Sequence, residues 1–438
     1  MARAANPAAA RLAATAVLRR LRDAGHTAYF AGGCVRDALL GLQPTDYDVA
    51  TDAPPQRITA LFDRTAEVGA AFGVVLVHEW VGPPAIPQRE RVSVEVATFR
   101  ADGPYTDARR PDHIVFSSPE EDAARRDFTI NALFLDPLAD PASLSTPEER
   151  AAQGRIIDYV HGTADLHARL IRAVGDPDKR LAEDHLRALR AVRFAARLGF
   201  SIHPDTAAAL ARHASELRGV SRERIGDELR RILAHPSRAR AIELLQQLGL
   251  DAPVLTEPPR RTDLTVLAGL PPSQPSIAIP LAAWALDRTA AAATALGESD
   301  LADLTRRWRA ALCLSNDESS ELSAILLGHQ FLVRAWSSAT TARRKRWASS
   351  PWFDAAAQLI AFTQPETFAL IIQSKTELSS DGVGLAPPPY LDGNALIGAG
   401  YQPNPRFKGI LDAVYDAQLE GRVRNPQEAL ELARKLYV

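Results

Sequence analysis

The stretch from Tyr29 to Thr51, YFAGGCVRDALLGLQPTDYDVAT, constrains the fold more than any other part of the chain. Tyr29, Phe30 and Ala31 form an apolar run that stops at Gly32-Gly33, where a backbone without Cβ atoms can approach a ligand closely. A helical pattern from Val35 to Leu40 follows directly, so the free amides of its first turn face whatever lies over the glycines, an arrangement that suits phosphate. After a turn at Gly41 and Pro44 comes Asp46-Tyr47-Asp48-Val49-Ala50, where the two-residue period of a strand puts both carboxylates on one face. Two like charges held together call for a cation. Mg²⁺, a hard ion that takes carboxylates together with phosphate oxygens, fits Asp46 and Asp48. Each part has a plain alternative, since Gly-Gly is often only a turn and Asp-x-Asp an exposed strand end or a helix cap. Their order and spacing favour a site.

The surrounding N-terminal region reads as a small mixed α/β unit. Leu12, Val17, Leu18 and Leu21 define an amphipathic helix, and this arginine-containing segment lacks the continuous apolar core of a signal peptide. Pro54 to Phe62 has the pattern of a helix with proline in its first turn, and Phe72–Val77 and Val92–Arg100 read as strands. On the second of these Glu95 shares a face with Ser93 and Ala97. It is either a solvated edge residue or a third carboxylate that accepts a proton from an attacking hydroxyl or completes the metal site. Arg100 to Pro111 is a loop without periodicity, Glu120 to Leu135 a dense cluster of polar residues of fixed type, and Ile156 to Gly162 a last short strand. Beyond a helix starting at Asp165 no further strand is expected, and helices follow one another to the C-terminus.

Glu183 to Phe200 is the most informative of these helices. Asp184, Arg187, Arg190, Arg193 and Arg197 recur every three or four residues as one polar stripe, with Leu186, Leu189, Val192, Phe194 and Leu198 supplying apolar contacts. Arginine on successive turns repels itself unless carboxylates or phosphates neutralise it. The region from Asp165 to Arg240 carries 16 Lys and Arg against 10 Asp and Glu, a net of +6 in a chain whose total is -2. Such a zone suits a phosphate-rich partner that must be released after each reaction, or else a salt-bridged helix face. Ser221 to Leu229 begins with a capping pattern and reads as a structural helix. Pro253, Pro258 and Pro259 suggest a hinge, and the run Arg343-Arg344-Lys345-Arg346 suggests a cationic edge on a helical body.

Taken together, these motifs resemble those of the nucleotidyltransferases that build the CCA end of tRNA and their relatives, the bacterial poly(A) polymerases. The resemblance rests on Gly-Gly-x-Val-Arg-Asp-x-Leu-Leu-Gly at 32–41, Asp46-x-Asp48, Arg125 to Leu133, and Glu183-Asp184-x-x-Arg187, strongly over 28–235 and more weakly beyond. It implies an α+β fold: a polymerase-beta-like head at 1–160, a base-selecting helical neck at 161–235, a helical body at 236–380 and a tRNA-binding tail at 381–438. It implies catalysis by Asp46 and Asp48 with Glu95, and nucleotide binding by Gly32, Gly33, Arg36, Arg126, Asp127 and Asn131, with Asp127 at the ribose and Arg126 at the triphosphate. Asp184 and Arg187 correspond to an amino-acid template for the base, with Arg190 and Arg193 nearer the triphosphate. A loop carrying Tyr105, Asp107, Arg109 and Pro111 corresponds to one that helps the family switch from C to A addition. The expected partners are tRNA, CTP and ATP, with no protein partner.

Three readings follow from this. One is a CCA-adding enzyme, or a partial CC- or A-adding one. Another is a poly(A) polymerase, although the usual basic C-terminal extension is missing after Lys435-Leu436-Tyr437-Val438. The last is an RNA-binding protein that has lost catalysis, against which the intact Asp46, Asp48, Asp127, Asp184 and Arg187 argue. With 438 residues and 46% apolar content the chain can bury more than one core, and no apolar run reaches the roughly 20 residues of a membrane span. Two distant cysteines, Cys34 and Cys313, fit a reducing cytoplasm and exclude a disulfide framework or a Cys-rich zinc site.

Overall fold

The computed structural model describes residues 6–67, 73–81, 90–103, 114–289, 297–402 and 405–437. The chain divides into two compact units, the first Met1–Glu228 with Arg240–Pro259, the second Leu229–Ala239 with Arg260–Val438. Helix α1 (Pro7–Asp23) starts at Asn6, whose side chain accepts from the Ala8 amide, and buries Ala13, Ala14, Val17, Leu18 and Leu21. Its apolar face covers one side of a sheet built from β1 (Ala28–Ala31), β2 (Asp48–Thr51), β3 (Thr65–Glu67), β4 (Val74–Val81) and β5 (Glu90–Thr98), the core including Phe30, Val49, Val75, Val94 and Val96. Helix α2 (Gly33–Leu39) links β1 to β2, and α3 (Pro55–Leu61) links β2 to β3. A hairpin of β6 (Arg100–Asp102) and β7 (Ile114–Phe116) leads to α4 (Pro119–Ala124), β8 (Phe134–Asp136), α5 (Pro147–Ala152) and β9 (Arg155–Ile157).

The main sheet has seven strands in the order β3-β4-β5-β2-β1-β8-β9 among the described residues. Its strands pair antiparallel except β2 with β5, which run parallel with Val49 opposite Val96. That single parallel pair sets Asp48 and Glu95, each one residue before the registered valine, side by side at the same end of the sheet.

The segment from 156 to 202 departs from its sequence pattern at three places. After α6 (Gly162–His167) come two short strands, β10 (Leu170–Ile171) and, later, β11 (Ser201–Ile202), which pair parallel where no further strand was expected. The expected strand over 156–162 ends at Ile157, because Asp158 accepts from the amides of Val160, Gly162 and Thr163 and turns the chain into α6. The helix expected over 183–200 is two helices, α7 (Pro177–Glu183) and α8 (Arg187–Leu198). Asp184 breaks them with an extended backbone (φ -154°), and its Oδ1 accepts from the Leu186 amide, the local bond that competes with helix continuation. The unit is completed by α9 (Pro204–Arg212), the first half of α10 (Arg222–Ala234), α11 (Arg238–Gln247) from Arg240 onward and α12 (Asp251–Leu255). Pro253, expected in a hinge, lies inside α12.

The second unit is helical: α13 (Thr265–Gly269), α14 (Ala278–Thr289), α15 (Glu298–Leu312), α16 (Asn316–Arg334), α17 (Thr341–Ala348), α18 (Phe353–Ala361), α19 (Pro365–Ser379), α20 (Gly393–Gly398), α21 (Arg406–Leu419) and α22 (Pro426–Tyr437). Trp284 and Trp308 bury their rings 5.2 Å apart, and Phe331 stacks on Trp347 at 5.2 Å. Two of the four cations in the run at 343–346 are taken up internally. Lys345 is fully buried and ion-pairs with Asp381 at 2.6 Å, while Arg346 bonds Asp416 at 2.6 Å and lies over Tyr415. No helix among the described residues is long and apolar enough to cross a membrane.

Candidate active site

The β1–α2 turn opens a cavity of about 680 Å³ in the first unit. Gly32 has φ 74°, which an L side chain rarely adopts, and a Cβ there would stand 3.1 Å from Nη1 of Arg126. Gly32, Gly33, Arg36, Asp46, Asp48, Glu95, Arg126, Asp127, Asn131, Asp184, Arg187 and Arg190 all line this cavity, although they come from residues 32 to 190. Arg193 does not. It turns instead to Glu228, bonding Oε1 through Nε at 2.5 Å, and Glu228 is buried. Tyr105, Asp107, Arg109 and Pro111 lie outside the described residues, as does Phe72, the first residue of an expected strand.

Carboxylates occupy one end. Asp46 follows a bend at Thr45 and lies two residues ahead of β2, where a strand was expected to begin, and Asp48 opens β2 beside Glu95. Crowding by protein, then repulsion from Glu95 and Asp46, pushes the Asp48 carboxyl up to about 7, against a smaller opposing pull from Arg126. Asp48 still opens onto the cavity, so water there moderates the effect, but its direction is upward. Behind it the Cys34 thiol is buried and donates to the Ala31 carbonyl. Burial first, and then the charge of Asp48, raise that thiol to about 12, which makes it a poor nucleophile.

Guanidiniums line the same cavity, each anchored by an acceptor. Arg36 is buried, bonds Asp37 through Nε at 2.8 Å and donates from Nη1 to Oδ1 of Asn131 at 2.6 Å. Asn131 passes the connection on, donating from Nδ2 to Oδ1 of Asp127 at 3.1 Å, and Oδ2 of Asp127 accepts from Nε of Arg190 at 2.8 Å. A polar chain thus runs from the glycine-turn helix α2 through the 127–131 segment to α8. Burial alone would raise the Asp127 carboxyl, but Arg190 and Asn131 outweigh it and hold the group below its usual range. Arg126 lies over Phe134 and bonds Asp122, which also holds Arg125.

Asp184 and Arg187 share the cavity but not a helix face. Asp184 accepts from Nη2 of Arg224 at 2.7 Å. Arg187 opens α8 and gives Nη1 to Oε2 of Glu183 at 2.5 Å and to the Arg180 carbonyl at 2.6 Å. Arg224 itself lines the cavity, so the stretch at 221–229 does more than build a helix. Asp122 and Arg224 were not singled out from sequence. Asp122 had a signal, its i,i+3 and i,i+4 spacing to Arg125 and Arg126, whereas the partnership of Arg224 with a residue 40 positions away has no local pattern.

Comparison with known proteins places this architecture. Residues 28–172 match the family described as Poly A polymerase head domain, and residues 199–259 that described as Probable RNA and SrmB- binding site of polymerase A. The head is therefore of the poly A polymerase class of nucleotidyltransferases. Over 436 residues the chain is 33% identical to a CCA-adding enzyme of Geobacillus stearothermophilus, covering 95% of each protein. A CCA-adding enzyme of Lacticaseibacillus paracasei is 33% identical over 432 residues, 95% of this chain and 94% of that one. The crystal structure of Bacillus stearothermophilus CCA-adding enzyme in complex with CTP superposes with a TM-score of 0.68 at 28% identity, covering 97% of both chains. A Thermotoga maritima CCA-adding enzyme complexed with tRNA shares the fold, with a TM-score of 0.62 at 18% identity over 99% of this chain and 97% of that one. The chain belongs to the family of CCA-adding enzymes.

Proposed function

We propose that this chain adds C, C and A in turn to the 3′ end of tRNA without a nucleic-acid template, taking CTP and ATP and releasing pyrophosphate. The observation that carries the reading is the meeting of a carboxylate cluster, Asp46, Asp48 and Glu95, with an arginine wall, Arg126, Arg187 and Arg190, in one cavity. Anionic triphosphate suits the arginines, and the developing negative charge of an attacking 3′-hydroxyl suits a cation at the carboxylates.

The carboxylates fit Mg²⁺. Asp48 is crowded by two like charges, a repulsion that a divalent ion would relieve. Mg²⁺ takes one or two carboxylates and completes its shell with substrate phosphates and water, a demand that this pair of acids can meet. Asp46 and Asp48 would hold it, and when bound it would neutralise the triphosphate and lower the pKa of the 3′-hydroxyl. Glu95, beside Asp48, is placed to accept that hydroxyl's proton or to support the site. Arg126 and Arg190 take the phosphates, Asp127 and Asn131 orient the ribose, and Gly32 and Gly33 let the nucleotide approach the backbone. Asp184, steadied by Arg224, offers an acceptor to the base edge, and Arg187, steadied by Glu183, offers donors. Arg193 acts at a remove, through Glu228. We assign the head to 1–160, the neck to 161–235, the body to 236–380 and the tRNA-holding tail to 381–438, and place the protein in the cytoplasm, where Cys34 and Cys313 stay reduced.

The test is extension of tRNA transcripts ending before, within and after CCA, with CTP and ATP given separately and together. Full CCA addition that stops at A supports the reading. Unlimited AMP addition would make this a poly(A) polymerase, addition of C or A alone a partial enzyme, and tRNA binding without extension a non-catalytic relative.

A further inference from the structure

Three guanidinium groups converge on one aromatic ring beside the cavity. The Cζ atoms of Arg193, Arg36 and Arg190 lie 4.3, 5.1 and 5.4 Å from the centroid of Phe194. Phe194 is buried, lines the cavity and meets Phe128 edge-on at 6.0 Å. Arg190 reaches the ring because i,i+4 neighbours meet on a helix, while Arg36 arrives from α2, immediately after the glycine turn. Each cation has its own carboxylate: Asp37 for Arg36, Asp127 for Arg190 and Glu228 for Arg193. Those carboxylates neutralise charge, but they sit on three different segments. The ring, with its negative face, is a group that all three share.

We propose that Phe194 is a positioning residue for the incoming nucleotide, its ring holding the guanidiniums of Arg36 and Arg190 at the cavity wall so that they meet the triphosphate without rearranging. The proposal rests on the functional reading above. A preorganised guanidinium loses less freedom when the anion binds, so the ring strengthens nucleotide affinity although it need not touch the phosphates. It acts on the triphosphate and not on the base, so CTP and ATP gain alike. Leucine fills a similar volume but has no quadrupole, and cannot replace it.

The decisive experiment places 4-fluoro-, 3,5-difluoro- and 3,4,5-trifluorophenylalanine at position 194 of the full chain, which keeps the ring's shape while draining its negative face stepwise. The primary readout is the Kd for CTP by calorimetry, with KM and kcat for CTP and ATP on tRNA and the melting temperature measured beside it. Kd and both KM values should rise with each fluorine, reaching on the order of tenfold at the trifluoro ring, with kcat and melting temperature nearly unchanged. Phe194→Leu should show the same loss of affinity. A CTP Kd flat across the fluorinated series overturns the proposal, and so does a fall in kcat at fixed KM. Graded loss of CTP affinity in a protein that extends no tRNA would support the positioning role and count against the functional reading alone.

Discussion

Replacing Asp122 with asparagine removes the charge on which two arginines of the cavity wall are anchored. Asp122 is 1% exposed, and its Oδ1 accepts from Nε and Nη2 of Arg125 at 2.9 and 2.6 Å, its Oδ2 from Nε and Nη2 of Arg126 at 3.2 and 2.9 Å. Asparagine keeps one acceptor and turns the other into an N–H donor aimed at a guanidinium. Breaking a fully buried ion pair costs about 3–5 kcal/mol. Here the arginine side chains are 21% and 19% exposed, so water recovers part of the loss, and we expect about 3 kcal/mol from the first unit's stability. Arg126, which also donates to the Asn131 carbonyl, would lose its orientation, and nucleotide KM should rise by roughly tenfold. Burial alone would raise the Asp122 carboxyl, but Arg126 and Arg125 outweigh it and hold the group below its ordinary 3.8. A depressed carboxyl contributes stability that is complete above the unfolded value and is lost as pH falls through the native one. The wild type therefore forfeits this contribution in acid while Asp122→Asn has none to lose, so the difference between them narrows below about pH 4. Urea unfolding by circular dichroism at neutral and acid pH measures both. A neutral-pH loss below about 0.5 kcal/mol, or a gap that does not close in acid, would refute the anchoring role.

Other perturbations separate the parts of the site. Gly32→Ala forces a side chain into the positive-φ turn and against Arg126, and should cost about 1–2 kcal/mol of stability and weaken nucleotide binding, measured by melting and calorimetry. Asp184→Ala and Arg187→Ala should relax base choice roughly 10- to 100-fold, admitting UTP or GTP in primer-extension assays while extension continues. If both lose CTP and ATP addition yet still refuse UTP and GTP, base selection lies elsewhere. Because the Asp48 carboxyl is raised to about 7 by crowding and by Glu95 and Asp46, protons should compete with a divalent ion there. Mg²⁺ affinity, titrated calorimetrically, should fall as pH drops through 7, and a pH-independent affinity would place the ion elsewhere.

How much of this was legible in the sequence follows from the range of the interactions. The glycine turn, Asp46, Asp48 and the 125–133 cluster are local patterns, and the structure brings all of them to one cavity. Glu95 could be suspected from strand alternation, but its adjacency to Asp48 depends on the parallel β2–β5 register, which no local pattern encodes. Helical periodicity across Asp184 misled because a side-chain bond to the Leu186 amide stops the helix there, and an acid that caps a break looks the same as one on a polar stripe. The run at 343–346 looked like a surface patch, since nothing near it in sequence announces Asp381 or Asp416 as partners. Arg193, one of four arginines three or four residues apart, is separated from Arg190 only by its buried partner Glu228, which no local pattern announces.

Asp46 and Asp48 are proposed above to carry nucleotidyl transfer in this cavity. Single-turnover extension of a tRNA transcript lacking its final A, at saturating ATP, tests it directly in Asp46→Ala and Asp48→Ala, with tRNA affinity measured in parallel. Turnover should fall by orders of magnitude with tRNA affinity largely intact. Near wild-type turnover in either variant would contradict it.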